Sequence, residues 1–252
     1  MVETRRSNER ASWGLAALLI VLAVVAVGAW WMVFYKKPPG YFKQNVKMTV
    51  TMATPEGDVS FSAVREISNA ASHSKVDYPG GNPPKVRGEA VVVDLGARGV
   101  VFALINANGE DGRFQKAFPP LNGRPRSVEA MNAYDKLPVG KKAILPSDYW
   151  PQFVMFTDLD DPKSVILVRG YVFNAETQKH DFVDNSEKLL GAGVHFKSIV
   201  LEITKEPVDW EVENFLAWLP TVKAGALDGR MGSFSADLAS ILHYGYFKVG
   251  EK

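Results

Sequence analysis

Between Ala11 and Tyr35 the chain carries no charged residue, and the core LAALLIVLAVVAVGAWW is almost wholly apolar. At a rise of about 1.5 Å per residue, ~25 residues span about 37 Å, enough to cross a hydrocarbon layer of about 30 Å with some tilt. Trp13 stands at one end and Trp30, Trp31 and Tyr35 at the other, the level at which amphipathic rings meet lipid headgroups. Arg10 closes one side, Lys36 and Lys37 the other, and Pro38-Pro39-Gly40 ends the helix. The pattern predicts a transmembrane helix over 11–35. A cleaved signal peptide has a shorter apolar region of roughly 7–15 residues before its cut site. Val27-Gly28-Ala29 resembles such a site only weakly, since the bulky run from Trp30 to Tyr35 follows it. A buried core helix of such uniform apolarity suits a larger domain than this one.

The flanking charges do not orient the helix. Arg5, Arg6 and Arg10 lie on the short side, and Lys36, Lys37, Lys43 and Lys47 on the long side. Long following domains are translocated largely regardless of charge, so the expected order is a short cytoplasmic tail (1–10), the helix (11–35), a linker (36–45) and a soluble, periplasmic domain (46–252). Of 29 Lys/Arg and 28 Asp/Glu, five and two lie in residues 1–37, so the remainder carries a formal −2. Without a basic stripe, nucleic acid is not an expected partner. The absence of cysteine excludes disulfides, thiolate metal sites and cysteine nucleophiles. The exported part must stand on its core, and ~210 residues suffice for one.

Alternation at Val46, Met48, Val50 and Met52, the turn Pro55-Glu56-Gly57-Asp58 and renewed alternation at Val59, Phe61 and Ala63 predict a β-hairpin. Residues 68–85, rich in Gly and Pro, predict an exposed loop. A second hairpin is expected over 86–105, and the run Val91-Val92-Val93 suggests a strand buried on both faces. Residues 106–126 read as turns, and 127–137 as a short helix capped by Ser127 with Val128, Met131 and Leu137 inward. Further strands are expected at 153–159, 164–173 and 194–204, the last alternating imperfectly. Val212, Phe215, Leu216 and Leu219 fall at helical spacing before Pro220, and a further helix over 234–243 would turn Leu238, Ile241 and Leu242 to one face. No repeat of fixed period occurs. The expected fold class is α+β: one transmembrane helix followed by a sheet-rich, mostly antiparallel domain with a few short helices.

Four segments carry a resemblance: TVTMATPEGDVSFSAVREI, VRGEAVVVDLGARGVVFALI, LPSDYWPQFVMFTDLDDPKSV and IVLEITKEPVDWEVENFLAWLP. Together, over roughly residues 46–220, they resemble a family of membrane-anchored proteins common in alphaproteobacteria that has no assigned activity. The resemblance implies an envelope location and a single domain, and it transfers no site residue.

Candidate chemistry is sparse. VVVDLGARG, with Asp94, Gly96 and Gly99, looks like the phosphate loop of actin-like ATPases, but a second phosphate loop and an adenosine site are missing, and an ordinary Gly turn accounts for it. Asp158, Asp160 and Asp161 could offer oxygens to Ca²⁺ or Mg²⁺, yet the spacing lacks the glycine and glutamate of an EF-hand, and Asp-Pro commonly opens a turn. His73, His180, His195 and His243 form none of the local pairs of zinc motifs. Gly-x-Ser-x-Gly does not occur, and Gly232-Ser233 is no substitute. Trp210 and Trp218 flank the late apolar stripe, which is expected to pack on the sheet; the functional version of that stripe is a groove on a partner protein. No catalytic, cofactor-binding or metal-ligating residue is therefore nominated, and no cofactor. The expected partners are the membrane, through residues 11–35, and another envelope protein. The expected role is an interaction or scaffold module; the alternative is a small-ligand binder or enzyme whose site forms only in three dimensions.

Overall fold

A computed structural model describes Val21, residues 23–25, 40–71, 84–106, 109–120, 124, 126–174, 176–230 and 237–250. The chain divides into two compact units, Met1–Pro39 and Gly40–Lys252. In the first, Val21 and residues 23–25 are helical, with Val21, Val24 and Val25 exposed. The rest of the expected membrane span over 11–35 lies outside the described residues, and none of the described helices is long and apolar enough to cross a membrane.

The second unit is built from two antiparallel sheets, each strand pair reading off its alternation. The strands are β1 (Tyr41–Thr54), β2 (Gly57–Ala70), β3 (Lys85–Glu89), β4 (Val91–Asp94), β5 (Val100–Ala103), β6 (Lys142–Ile144), β7 (Phe153–Phe156), β8 (Val165–Asn174), β9 (Lys179–Asp184), β10 (His195–Thr204) and β11 (Lys248–Val249). One sheet runs β11-β3-β2-β1-β10-β6 and the other β4-β5-β7-β8-β9. In β1, Val46, Met48, Val50 and Met52 are buried while the intervening residues are not, the two-residue period of a strand with one face on a core. They meet Val93, Val101, Phe153 and Ile199 between the sheets. Helices α1 (Glu110–Ala117) and α2 (Val128–Asp135) add Phe114, Met131 and Tyr134 to this core. There Phe42 stacks on Phe114, which meets Tyr134 edge-on, both at 5.2 Å.

The second sheet is covered on its far face as well. Val100, Phe102, Val154, Phe156 and Leu167 pack beneath the C-terminal segment through Val212, Leu216, Leu219, Leu242 and Phe247. The burial of Val91 and Val93 on one side, with Val92 against the outer layer, follows from this double coverage.

The expected linker over 36–45 gives way to strand from Tyr41, because Phe42 is fully buried in the inter-sheet core. The exposed loop over 68–85 is shorter at both ends, where β2 and β3 pair at Ser68↔Lys85; its middle, with His73, lies outside the described residues. The second hairpin is not one hairpin strand but two. β3 belongs to the first sheet and β4 to the second, the chain changing sheets at Ala90. Residues 106–126 contain α1, whose Gly112 hides the helical pattern. Helix α2 stands as expected, with the Ser127 side chain accepting from the Ala130 N–H.

The late helix is one turn only, α4 (Val212–Phe215), since Leu216 leaves helical geometry and a 3-10 turn follows at Leu219–Val222. Val212, Leu216 and Leu219 are buried as expected and Phe215 partly so, but along an irregular path. The helix expected over 234–243 is α5 (Leu238–Ile241), and Ile241 is exposed rather than sharing the face of buried Leu242; 231–236, with Gly232-Ser233, lie outside the described residues. A fifth short helix, α3 (Ser186–Leu190), lies between β9 and β10.

Candidate functional site

The described core contains three buried carboxylates, Glu89, Glu110 and Asp111, and the two glutamates sit in different settings. Arg65 points inward from β2, and its side chain and that of Glu110 are each 1% exposed. The Arg65 guanidinium donates to Glu110 Oε2 at 2.9 Å, to the Glu89 carbonyl at 3.0 Å and to the Ala103 carbonyl at 3.3 Å. Glu110 Oε1 accepts from Arg113 at 2.6 Å and from the Asn106 N–H at 3.3 Å. Burial pushes the Glu110 carboxyl up, but the two guanidinium groups outweigh it and hold the group below the usual carboxylate range. Beside it, Asp111 accepts from Asn69 at 2.9 Å. The arrangement ties β2 to the crossover at Ala90, to the end of β5 and to α1. Both Glu110 oxygens have donors, so the pair is built to hold the sheets rather than to react.

The second glutamate, Glu89, is also 1% exposed. Its Oε1 accepts from the backbone N–H groups of Glu211 and Val212 at the start of the C-terminal cover. Its Oε2 meets no partner. Burial pushes this carboxyl up to about 7, Asp209 adds to the rise, and the two amides and Lys248 oppose it. Lys248, opposite Glu89 in the β11–β3 register, donates to Glu213 at 2.7 Å and lies over the Trp210 ring. A carboxyl titrating near neutrality is a general acid–base candidate when substrate can reach it. Glu89 lines neither of the two clefts below, and its bonds to Glu211 and Val212 join β3 to the cover.

Two open clefts accompany these groups. One, of about 410 Å³, lies between β8, β9 and α5 and is walled by Val165, Leu167, Val172, Val183 and Leu238. The other, of about 320 Å³, is lined by Asn106, His243, Tyr246, Lys248 and Gly250. Burial holds the His243 imidazole below its ordinary range. Its Nδ1 accepts from the Gly245 N–H at 3.1 Å, which closes a 3-10 turn. Tyr134, with an unpartnered hydroxyl, is pushed up to about 12 by burial beside Asp111.

The residues weighed on sequence grounds fall elsewhere. Asp94 accepts from the Gly96 N–H at 2.9 Å and so closes its own turn. Asp158 accepts from the Asp160 N–H and Asp161 from the Lys163 N–H, both local turn bonds. Among the described residues no three His, Asp or Glu side chains group as metal ligands would. His180 and His195 are exposed on separate sheets. Trp218 packs in the outer core and donates to the Leu159 carbonyl at 2.7 Å, while Trp210 lies between Arg87 and Lys248.

The conspicuous surface is one that sequence reading did not single out. On the β8–β9 hairpin, Tyr171, Phe173 and Phe182 are 46%, 51% and 49% exposed. Tyr171 and Phe182 meet edge-on at 5.4 Å, as do Phe173 and His180 at 5.5 Å. Arg169 sits between the Trp150 and Phe182 rings at 4.5 and 4.8 Å. Alternation and register put these residues on one face, and a β-bulge decides which face it is: Val154 pairs with Leu167 but Phe153 with Arg169. The extra residue, Val168, turns everything after it to the opposite face. Unbroken alternation in SVILVRGYVF would have put Tyr171 and Phe173 on the side of Val165 and Leu167.

No protein-family model, curated protein or solved structure matches this chain.

Proposed function

We propose that this protein is an interaction module tethered in the envelope: a single helix over residues 11–35 anchors it in the inner membrane, and the following domain works in the periplasm. The observation that carries the reading is the exposed aromatic face of the β8–β9 hairpin. Exposed aromatics grouped at a sheet edge suit contact with another protein better than contact with water. The buried ionisable groups are used within the fold, which leaves the surface, rather than a pocket, as the place of function. The competing reading is a small-ligand binder centred on the cleft at His243, but that imidazole already spends its Nδ1 on a turn.

The test is a photo-crosslinking residue placed at Phe173 in the full chain, in native membranes. A reproducible protein adduct that is lost in Y171S/F182S supports the reading, and labelling of lipid or nothing at all counts against it. Topology has its own test: protease added to spheroplasts should digest the domain, and resistance until the inner membrane is opened overturns a periplasmic placement.

A further inference from the structure

We infer that the hairpin pairs with a second copy of this chain, β9 adding antiparallel to β9 so that the two outer sheets become one. The inference rests on the interaction-module reading and names its partner. The first observation is the edge itself. β9 is the last strand of its sheet and six residues long, whereas the edge strands β4, β6 and β11 have four, three and two. Natural edges are usually kept short or covered, because unpaired N–H and C=O groups template further pairing.

The second observation is the direction of those groups. The Asn185 N–H donates to the Val168 carbonyl at 2.7 Å, which extends the β8–β9 register by one pair. Alternation along an antiparallel ladder then makes Val183↔Gly170 and Asp181↔Val172 hydrogen-bonded pairs and leaves Asp184↔Arg169, Phe182↔Tyr171 and His180↔Phe173 as the non-bonded ones. In these the side chains approach closely, as the two ring contacts record, and the backbone groups of the β9 member point away from β8. His180, Phe182 and Asp184 therefore offer N–H and C=O to an incoming strand, and among the described residues nothing takes them.

The third is self-complementarity. Pairing Phe182 with Phe182 of the second copy sets His180 against Asp184 of that copy, an imidazole against a carboxylate, on the aromatic face. Asp181 then faces Val183 and Lys179 faces Asn185, so no like charges oppose each other. Each narrow pair exchanges two backbone bonds. Moving the centre to Asp181 would set two carboxylates face to face. Only the Phe182-centred register joins the two Tyr171–Phe182 contacts into one aromatic row across the junction. Asp184, held at 3.1 Å by Arg169, is already aimed on that face.

The chain has no cysteine, so single cysteines report the register directly. In the full chain in detergent micelles and in liposomes, mild oxidation should crosslink F182C to itself, whereas K163C, on an exposed turn, should not. Mixed H180C and D184C should crosslink at least tenfold more than H180C alone, whose two copies lie roughly 14 Å apart along the strands and beyond disulfide reach. F182E should weaken the dimer at least tenfold by mass measurement, and a melting curve reports whether that variant still folds; the cysteine results stand without it. The inference is overturned if F182C crosslinks no more than K163C, or if H180C alone matches the mixture. A monomeric chain that still captures a foreign envelope protein in membranes overturns self-pairing while leaving the interaction reading intact. A self-paired chain that captures nothing else keeps this inference and removes the foreign partner.

Discussion

Glu110 and Glu89 lie in the same domain, each 1% exposed, and behave differently. Glu110, between the sheets, has two guanidinium groups and an amide for its oxygens. Glu89, beneath the C-terminal cover, has two amides on one oxygen and none on the other. Burial alone raises both. What separates them is the partner set, which leaves one ionised and structural and the other titrating about 7. The inter-sheet region is thus closed on itself electrostatically, and the cover is held by a contact that depends on pH.

The comparison breaks hardest at Arg65. Arg65→Ala removes the fully buried cation and leaves Glu110 Oε2 without its donor, so denaturant unfolding should register a loss of about 3–5 kcal/mol; a loss below about 1 kcal/mol would mean the cluster is not what holds the sheets. Gly88→Ala attacks the same region through the backbone. Gly88 sits at φ +143°, and an added Cβ would lie 3.0 Å from Arg65 Cγ and 3.1 Å from its Cα. Strain and the displaced arginine should together cost about 3 kcal/mol in the same assay.

Glu89→Gln sharpens the other half. A carboxyl whose folded pKa stands above its unfolded value favours the folded state most when protonated. That stability is complete below the unfolded pKa and is lost as pH rises towards about 7. The wild-type melting temperature should therefore fall between pH 5 and pH 8. Glu89→Gln should flatten that slope and raise stability at pH 8 by up to about 2 kcal/mol; an unchanged slope would assign the pH dependence to other groups. The smallest effect is Ser127→Ala, distant from Glu89, which removes the α2 cap and should cost about 1 kcal/mol at every pH.

The strands were legible where one residue decided one position. Val46, Met48, Val50 and Met52 alternate because each must bury on the same core. The imperfect alternation of 194–204 has a physical cause: β10 bulges opposite Thr51/Met52, so Phe196 and Ile199 both turn inward across an odd spacing. The bulge in β8 leaves no such mark, because Val165, Ile166, Leu167 and Val168 are all apolar and fit either face, so the exposure of Tyr171, Phe173 and Phe182 is not legible in the sequence. The cover resisted reading differently. Val212, Leu216 and Leu219 have helical spacing, yet the sheet beneath dictates a broken path. The burial of Arg65 and Glu89 has no mark in the sequence, since nothing local distinguishes a buried charge from a solvated one. Gly88 beside Arg65 and the crossover at Ala90 are intelligible only together with it.

By itself, the sequence determined that the domain is sheet-rich, antiparallel and free of disulfides, and that Ser127 caps α2. Those are consequences of local patterns: a two-residue period, a cap, an absent residue type. Only the tertiary structure decided where β3 becomes β4, which carboxylate is satisfied, and that an aromatic face is left at the β9 edge. Each of these depends on residues far apart in the chain, whose partners, and hence whose charge and exposure, are set only when the sheets stack.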